Sequence, residues 1–454
     1  MDWIFALVMG AVLYVTIIPL YFFEANLRKP KKNIILGVTV PHAHQESEAV
    51  KQITDTYLKR LRIVTAIFAI LGLSMFVVPF MSIQITILMT LILGVIVGTG
   101  LVFIKANRRL MALKRRSGWQ RAGRPAMVAD LRAMEEKSKP LPRIWLTIPC
   151  IIAAIPLVPI VIQLTRGTQD WTEILVYGIT VIWIPLFLVM AEAFRRQNAE
   201  IVGTVSDLNV ITTRIRRRVY MRMMVLTTWL MAVMSIGIWF LPLLLAQVQI
   251  LFGITIGILS IVLMVYAIHA EFAVRRAQER FTELAGDTLE IDTDEYWIWG
   301  MFYYNKNDKR MFINDRVGVN MQMNLAKPIG MISMGLAALA LLAMPLLGVW
   351  IMAQEFSPIT YSVEGNVVTV SHLTTRSFDL GDDFEAEILD EWPGGMRTNG
   401  TAIGTFRQGT FQLDGIGTSW VLLRTDEEPL ILITRPEGPR LLFSYTPEFS
   451  ALMR

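Results

Sequence analysis

The sequence predicts a polytopic α-helical membrane protein with a small β-strand domain at its C-terminal end. The chain is 54% hydrophobic, above the roughly 45–50% that is typical of soluble globular proteins. Apolar runs of about 20 residues, the length that spans a bilayer, recur eight times before residue 353. After residue 353 the pattern changes to short strand-like segments separated by turns, which indicates a separate β domain.

Each apolar run is long enough to cross the hydrocarbon core as a helix. About 20 residues at a rise of ~1.5 Å match a core of roughly 30 Å, and a backbone in lipid must satisfy its own hydrogen bonds. Almost no ionisable side chain lies inside the runs, and none lies at the middle of one. The runs cover residues 3–23, 63–80, 85–104, 144–164, 171–191, 223–245, 248–268 and 329–352.

The distribution of basic residues predicts the orientation. Lysine and arginine are concentrated in the long connections 24–62, 105–143 and 192–222, whereas the short connections 81–84, 165–170 and 246–247 are nearly free of them. An excess of basic residues marks the cytoplasmic side. We therefore expect the N-terminus outside, the long connections inside against anionic lipid headgroups, and the chain outside again near residue 353. The first run lacks a preceding basic segment and a cleavage site, so it reads as a retained anchor.

The order of runs and connections repeats, which predicts two parallel membrane halves, residues 1–164 and 165–353, each with four helices. Each half contains a tight hairpin of two runs, turning at 81–84 and at 246–247. Transporters are often built from such repeats, so a transporter or permease component is an alternative function. Equal spacing by chance is the other explanation of the pattern. The absence of charges at the middle of the runs disfavours an ion-coupled carrier.

A search for catalytic and ligand-binding motifs gives no enzyme prediction. The sequence contains no phosphate-binding loop, dinucleotide fingerprint, metalloprotease helix or hydrolase nucleophile elbow. His42 and His44 supply two potential metal ligands without a third at a supporting spacing, and Cys150 is the single cysteine. We expect no catalytic residue, no cofactor, no metal and no nucleic-acid partner.

Two segments of the predicted cytoplasmic connections carry local signals. Residues 33–41 form an extended segment ending at a proline, and Ser47 follows as a potential N-cap of an amphipathic helix. That helix would lie along lipid headgroups or pack on neighbouring loops.

Before the eighth run, the pattern predicts a hairpin with strands 300–304 and 311–313 and a turn at 305–308. Its aromatic side chains suit the headgroup belt or, alternatively, a ligand cage. The candidate interaction residues are Trp297, Trp299, Tyr303, Tyr304, Asn305 and Asp308.

Segment 294–324 resembles a small domain of unknown function found in bacterial multi-span membrane proteins. The shared positions are Trp297, Gly300, residues 302–305, Asp308, Phe312, Gly318 and Asn324, and residues 37–41 of the first connection add to the likeness. The chain departs from it at Lys306, where the family tends to have proline, and at Met321, where it tends to have tryptophan. Family members are distantly similar to bacteriocin-immunity and signalling membrane proteins. The resemblance implies a protein of the bacterial plasma membrane and carries over no catalytic residue.

The C-terminal segment 354–454 predicts a small antiparallel barrel or sandwich. It contains 15 acidic residues against seven arginines and no lysine, a net charge of −8 that suits the outer face. Turns are predicted at 364–366, 393–395 and 436–439, and a short helix is predicted from residue 446. The predicted strands are 360–363, 367–371, 377–380, 385–389, 404–406, 410–413, 419–423, 430–434 and 440–443.

Residues 404–411 and the closing residues 447–449 make this segment similar to a bacterial pleckstrin-homology-like domain. Relatives of that domain often bind phosphoinositides through a basic mouth. The acidic charge of this segment instead favours an extracytoplasmic protein or peptide partner. The function predicted from the sequence is therefore a non-enzymatic sensor or immunity-type membrane scaffold whose outer β domain captures that partner.

Overall fold

The computed structural model describes residues 3–31, 33–119, 142–158, 188, 205–240, 246–285, 292–317 and 321–452. Within these residues, five helices are long and apolar enough to cross a membrane, as judged by length and composition alone. They are α1, α3, α5, α6 and α7 in the series α1 Trp3–Asn26, α2 Glu48–Gly72, α3 Met81–Arg116, α4 Ile144–Ala154, α5 Ser206–Phe240, α6 Ala246–Ala285 and α7 Pro328–Phe356. This confirms the helical class in its coarse form.

The helix boundaries differ from the predicted runs at several places. The predicted loop helix and the start of the second run are one continuous helix, α2, which begins directly after Ser47 and ends at Gly72, before a 3-10 turn Leu73–Phe76. The predicted connections 81–84 and 246–247 are wrong, because Met81 begins α3 and Ala246 begins α6. Residues 165–170, the run 171–191 apart from Leu188, and the last parts of the runs 144–164 and 223–245 lie outside the described residues.

The helices pack in two sets of contacts. Helix α3 contacts α1, α2 and α7, and α1 contacts α2, whereas α4 contacts α5 and α5 contacts α6. A Cβ atom on Gly348 of α7 would lie 2.8 Å from the Cα of Thr86 in α3, so glycine permits a close approach of these two helices. These contacts join α7 to α3, a helix of the predicted first half, and the division at residue 164 stays a prediction.

Helix α3 continues past its apolar run, and short hairpins surround its C-terminal part. We call this assembly the loop module and define it as residues 27–41, 105–119, 292–317 and 321–327. Strand β1 (Ile34–Ile35) pairs with β2 (Val38–Thr39), β3 (Trp297–Ile298) with β4 (Phe302–Tyr303), and β5 (Phe312–Asn314) with β6 (Met321–Met323).

The predicted hairpin between strands 300–304 and 311–313 is therefore wrong. Trp299 and Gly300 both have positive φ, 54° and 71°, which is the backbone geometry of a tight hairpin turn. That turn folds β4 back onto β3. The segment 305–310 is instead a loop held by its own side chains, and β5, which follows it, pairs with β6.

The β domain contains two sheets. Strands β7 (Thr360–Glu364), β8 (Val367–Ser371) and β9 (Thr375–Asp379) form an antiparallel three-stranded sheet. The second sheet has the order β10-β14-β15-β13-β12-β11. Its strands are β10 Glu385–Leu389, β11 Gly395–Ile403, β12 Phe406–Leu413, β13 Gly417–Arg424, β14 Leu430–Thr434 and β15 Arg440–Ser444. All its pairings are antiparallel except that of β13 with β15.

Both faces of the six-stranded sheet are covered by apolar side chains. On one face Trp420 and Phe443 pack against Val368 of the three-stranded sheet and Phe449 of the closing 3-10 helix, Pro447–Leu452. On the other face Phe411 and its neighbours form a second cluster. The strand-rich, mostly antiparallel domain is thus confirmed. Strand β11 was not predicted, and the predicted strand 404–406 is wrong because Gly404 and Thr405 form the turn that joins β11 to β12.

Candidate functional site

A buried network of charges holds the loop module together. Lys114, near the end of α3, places its Nζ 2.6 Å from Asp292 Oδ2 and 2.8 Å from Asp294 Oδ2. Arg316 places Nη1 2.6 Å from the other oxygen of Asp294. Lys114 is only 1% exposed and Arg316 6%. Because the network joins cations to anions in equal number, it buries no net charge, which is the condition under which buried ions are tolerated.

The first connection of the chain completes this network. The Thr39 hydroxyl donates a hydrogen bond of 2.7 Å to Asp294 Oδ1, and the Thr39 backbone N–H donates to the same carboxylate. Arg316 donates to the Gly37 carbonyl oxygen at 3.1 Å and to the Thr39 hydroxyl at 2.7 Å. Asp294 thus binds three separate stretches of the chain. Burial alone would raise the pKa of its carboxyl, but Arg316 and Lys114 outweigh burial and hold that pKa below its usual value.

Two glycines bring the first connection against the aromatic segment. A Cβ atom on Gly37 would lie 2.7 Å from the Gly300 carbonyl oxygen, and a Cβ atom on Gly300 would overlap Nδ2 of Asn107. Both glycines also have positive φ. Asn107 donates from that Nδ2 to the Leu36 carbonyl oxygen at 2.8 Å. A side chain at Gly37 would separate the two hairpins from each other, and a side chain at Gly300 would also meet Asn107 of α3.

Three of the predicted interaction residues form one hydrogen-bonded cluster. The Tyr303 hydroxyl donates to Asp308 Oδ2 at 3.0 Å and accepts from Nδ2 of Asn305 at 3.2 Å. Arg310 donates to Asp308 through Nη2 at 2.6 Å. Burial alone would raise the pKa of Asp308, but the hydrogen bonds from Arg310 outweigh it and lower that pKa. In this arrangement the polar side chains fix the shape of the loop 305–310.

The predicted aromatic residues divide into two groups. Trp297 lies against Tyr303, with ring centroids 5.3 Å apart, and Arg316 lies over the Trp297 ring at 5.3 Å. Trp299 and Tyr304 are 41% and 37% exposed and lie outside the hydrogen-bonded cluster. The two exposed rings have the amphipathic character of residues that anchor at a membrane surface.

Asn324 holds the segment 321–327, which leads directly into α7, against the loop 305–310. Its Oδ1 accepts from the backbone N–H groups of Asn305 and Ala326, at 3.1 and 3.0 Å, and its Nδ2 donates to the Asn305 carbonyl oxygen at 2.8 Å. The side chain is fully buried. Because α7 begins at Pro328, this one amide ties the start of the helix to the loop that carries the predicted residues.

At its other end α7 is bound to the start of α3 and to the β domain. Glu355 Oε2 accepts from the Ser82 backbone N–H at 3.2 Å, where the N-terminal dipole of α3 favours an anion. The rings of Phe80 and Phe356 meet edge to face at 5.0 Å. Arg424 of β13 donates to the Ser357 carbonyl oxygen at 2.9 Å, directly after the helix.

Sequence reasoning missed the residues of the ion network and Glu355. Nothing in the spacing distinguishes Lys114 from the other cations of its connection, and Asp294 and Arg316 read as ordinary loop charges. The available signal was indirect: Gly37 and Gly300 lie at the positions that carried the family resemblance. Within the residues that the structure describes, no group of three or more histidine, cysteine, aspartate or glutamate side chains could hold a metal ion.

Comparison of the chain with protein-family models, with curated proteins and with solved structures found no match.

Proposed function

We propose that this protein is a non-enzymatic membrane sensor or immunity-type scaffold, in which the β domain binds a protein or peptide and α7 reports that binding to the loop module. The observation that carries the proposal is the attachment of α7 at both ends. Its beginning follows directly from the segment 321–327, which Asn324 holds against the loop 305–310, and Glu355 and Ser357 bind its end to α3 and the β domain. One continuous helix of 29 residues, with Pro345 in its interior, joins the two folded parts.

The two parts that α7 joins lie at opposite ends of α3. Ser82 is in its first turn, whereas Lys114 is near its last residue. A helix of 36 residues is ~54 Å long at a rise of about 1.5 Å per residue, which exceeds a hydrocarbon core of roughly 30 Å. With the basic connections held inside, this separation supports a cytoplasmic loop module and an extracytoplasmic β domain.

The proposal retains the finer expectations from the sequence. An even number of crossings, eight in our prediction, returns the chain to the outside before the β domain. The likeness of that domain to pleckstrin-homology-like domains is also retained as part of the proposal. Its net acidic charge supports a protein or peptide partner rather than a phosphoinositide.

The orientation is tested by cysteine labelling of the full-length protein in intact cells. In a Cys150→Ser background, Asp426→Cys places a thiol in an exposed turn of the β domain, and Lys306→Cys places one in an exposed loop of the loop module. A membrane-impermeant maleimide is expected to label Asp426→Cys in intact cells and Lys306→Cys only after permeabilisation. The reverse pattern would overturn the proposed function.

The reporting step is tested by amide hydrogen exchange in lipid nanodiscs. Ending the chain after Phe356 removes the β domain and the hydrogen bond from Arg424. We expect faster exchange at residues 34–39 and 297–303, at the far end of α3, than in the full-length protein. Asp426→Asn, in an exposed turn of the β domain, serves as the control and should leave the exchange unchanged. Equal exchange in the truncated and full-length proteins would contradict transmission through α7.

A transporter component is the second candidate, and one observation favours it. Glu24 of α1 accepts a hydrogen bond of 2.8 Å from the hydroxyl of Thr99, a buried residue of α3. A carboxylate between membrane helices is a common element of proton pathways. Proton flux into vesicles loaded with a pH-sensitive dye tests this candidate: flux that is lost in Glu24→Gln but kept after truncation at Phe356 would favour the transporter over the sensor.

A further inference from the structure

Strand β10 lies at the edge of the six-stranded sheet of the β domain. It pairs with β14 on one side, over the full length from Glu385 to Leu389. On its other side no strand of the described chain is hydrogen-bonded to it. Alternate residues of such an edge direct their backbone N–H and C=O groups outward, and an extended peptide can pair with them as an added strand.

A cleft of about 860 Å³ opens beside this edge. Its walls come from the β7–β8 turn, the start of β10 and the end of the closing 3-10 helix, and Val363, Asn366 and Leu452 are among its lining residues. Phe384 and Ala386 contribute half-buried apolar surface next to the free edge. The cleft therefore offers apolar contacts within reach of a strand added to β10.

The charge around β10 is strongly negative. The stretch 379–391 contains seven acidic residues and no basic one. Glu385 and Glu387 are exposed, and both line the cleft together with Asp382. Pairing of β10 with β10 of a second copy would place these like charges side by side, which disfavours self-association. A cationic strand would be attracted to the same surface.

We propose that the β10 edge binds an extended basic peptide segment of an extracytoplasmic partner by strand addition. The peptide backbone pairs with the free groups of β10. Lysine or arginine side chains at alternate positions lie against Glu385, Glu387 and Asp382, and small apolar side chains at the intervening positions face Phe384 and Ala386. This inference rests on the proposed function, because it identifies the surface and the partner chemistry of the β domain.

The test uses full-length protein in neutral detergent and a fluorescent, end-blocked decapeptide of alternating lysine and valine. We expect saturable binding in 0.15 M salt that is weakened at least ~10-fold by the double substitution Glu385→Lys with Glu387→Lys. The matched control, Asp426→Lys with Glu428→Lys, changes the charge by the same amount in an exposed turn away from the cleft and should alter the affinity less than about 2-fold. If the protein with Glu385→Lys and Glu387→Lys fails to fold, Glu385→Gln with Glu387→Gln takes its place, and ~3-fold weaker binding is expected.

Two further peptides separate strand addition from charge attraction. The lysine–valine peptide N-methylated at every amide keeps its charge but loses its backbone donors, and it should bind at least ~10-fold more weakly. A glutamate–valine peptide should not bind. The proposal would be overturned if the N-methylated peptide bound as tightly as the unmethylated one, or if the control substitutions weakened binding as much as the substitutions at Glu385 and Glu387. It would also be overturned if the wild-type protein were a dimer that the substitutions Glu385→Lys with Glu387→Lys dissociated. If the labelling and exchange results above hold while the lysine–valine peptide fails to bind, the proposed function stands and this surface is wrong.

Discussion

At the scale of single residues, the loop module depends on contacts that leave no room for change. Gly37 and Gly300 meet backbone to backbone, and each also needs a positive φ that L-residues rarely adopt. Asp294 lies between Lys114 and Arg316, so removing any of the three leaves the buried network with unequal numbers of cations and anions. Both features make the assembly sensitive to substitutions that would be neutral at the surface.

Gly37→Ala is expected to destabilise the loop module by about 2–4 kcal/mol, because a Cβ atom there meets the Gly300 backbone and the residue is strained at positive φ. The measurement is the midpoint of thermal unfolding in detergent, followed by tryptophan fluorescence. Gly100→Ala is the control, since a Cβ atom on Gly100 in α3 has no neighbour within 4 Å. A midpoint for Gly37→Ala that equals the one for Gly100→Ala would contradict the contact.

Asp294 predicts a specific dependence of stability on pH. Its pKa in the folded protein lies below the usual 3.8, so the unfolded chain binds a proton more readily than the folded one. The stabilisation is therefore complete above that usual value and is lost as the pH falls through the lower folded pKa. Asp294→Asn should lower stability at pH 7 by about 3–5 kcal/mol, and it should flatten the loss of stability below the usual pKa. Unfolding curves of both proteins from pH 7 to pH 2.5 provide the comparison. If the variant lost as much stability as the wild-type protein when the pH falls below the usual pKa, the result would count against the ion network.

At the scale of elements, the segment that leads into α7 is held by the Asn324 side chain together with backbone hydrogen bonds from Asn324 to Met311 and from Leu325 to Tyr303. Asn324→Ala removes hydrogen bonds to Asn305 and Ala326 and leaves buried backbone groups unpaired. We expect a loss of about 2–3 kcal/mol. We also expect faster hydrogen exchange in the first turn of α7. Asn307→Ala, an exposed position of the same loop, should change neither quantity; a similar effect of both substitutions would show that Asn324 has no special role.

The same elements show how far the sequence could predict the fold. Hydrophobic runs predicted helices because burial in lipid requires a long continuous pattern, and alternation predicted most strands of the β domain. The pairing of β4 could not be predicted, because it depends on Trp299 adopting a positive φ that its residue type does not favour. Strand β11 was missed because its sequence, with two glycines and few apolar residues, is held by its pairing with β12 rather than by a core.

The candidate site likewise contains residues whose role could be predicted from the sequence and residues whose role could not. Asn305 and Asp308 are turn-forming residue types whose local role was predictable, and they hold the loop 305–310. The partners of Asp294 were not predictable, because Thr39 and Lys114 are distant in sequence and meet it only in the folded chain. Ion pairs between residues that are distant in the chain produce no spacing pattern in a single sequence.

At the scale of the whole molecule, the proposed function requires that the two ends of α7 behave as one unit. Glu355→Gln removes the anion at the start of α3 while keeping the size of the side chain, with an expected loss of about 1 kcal/mol. Glu355 and Asn324 share no contact, so their substitutions would add within about 0.3–0.5 kcal/mol if the ends were independent. We expect the double variant Asn324→Ala with Glu355→Gln to depart from additivity by more than that limit, because loosening one end of a continuous helix weakens the contacts made at its other end. The control cycle, Asn307→Ala with Glu364→Gln, joins two exposed positions and should be additive. Additivity in both cycles, measured by chemical unfolding in the same detergent, would mean that α7 connects the two parts of the protein without coupling them.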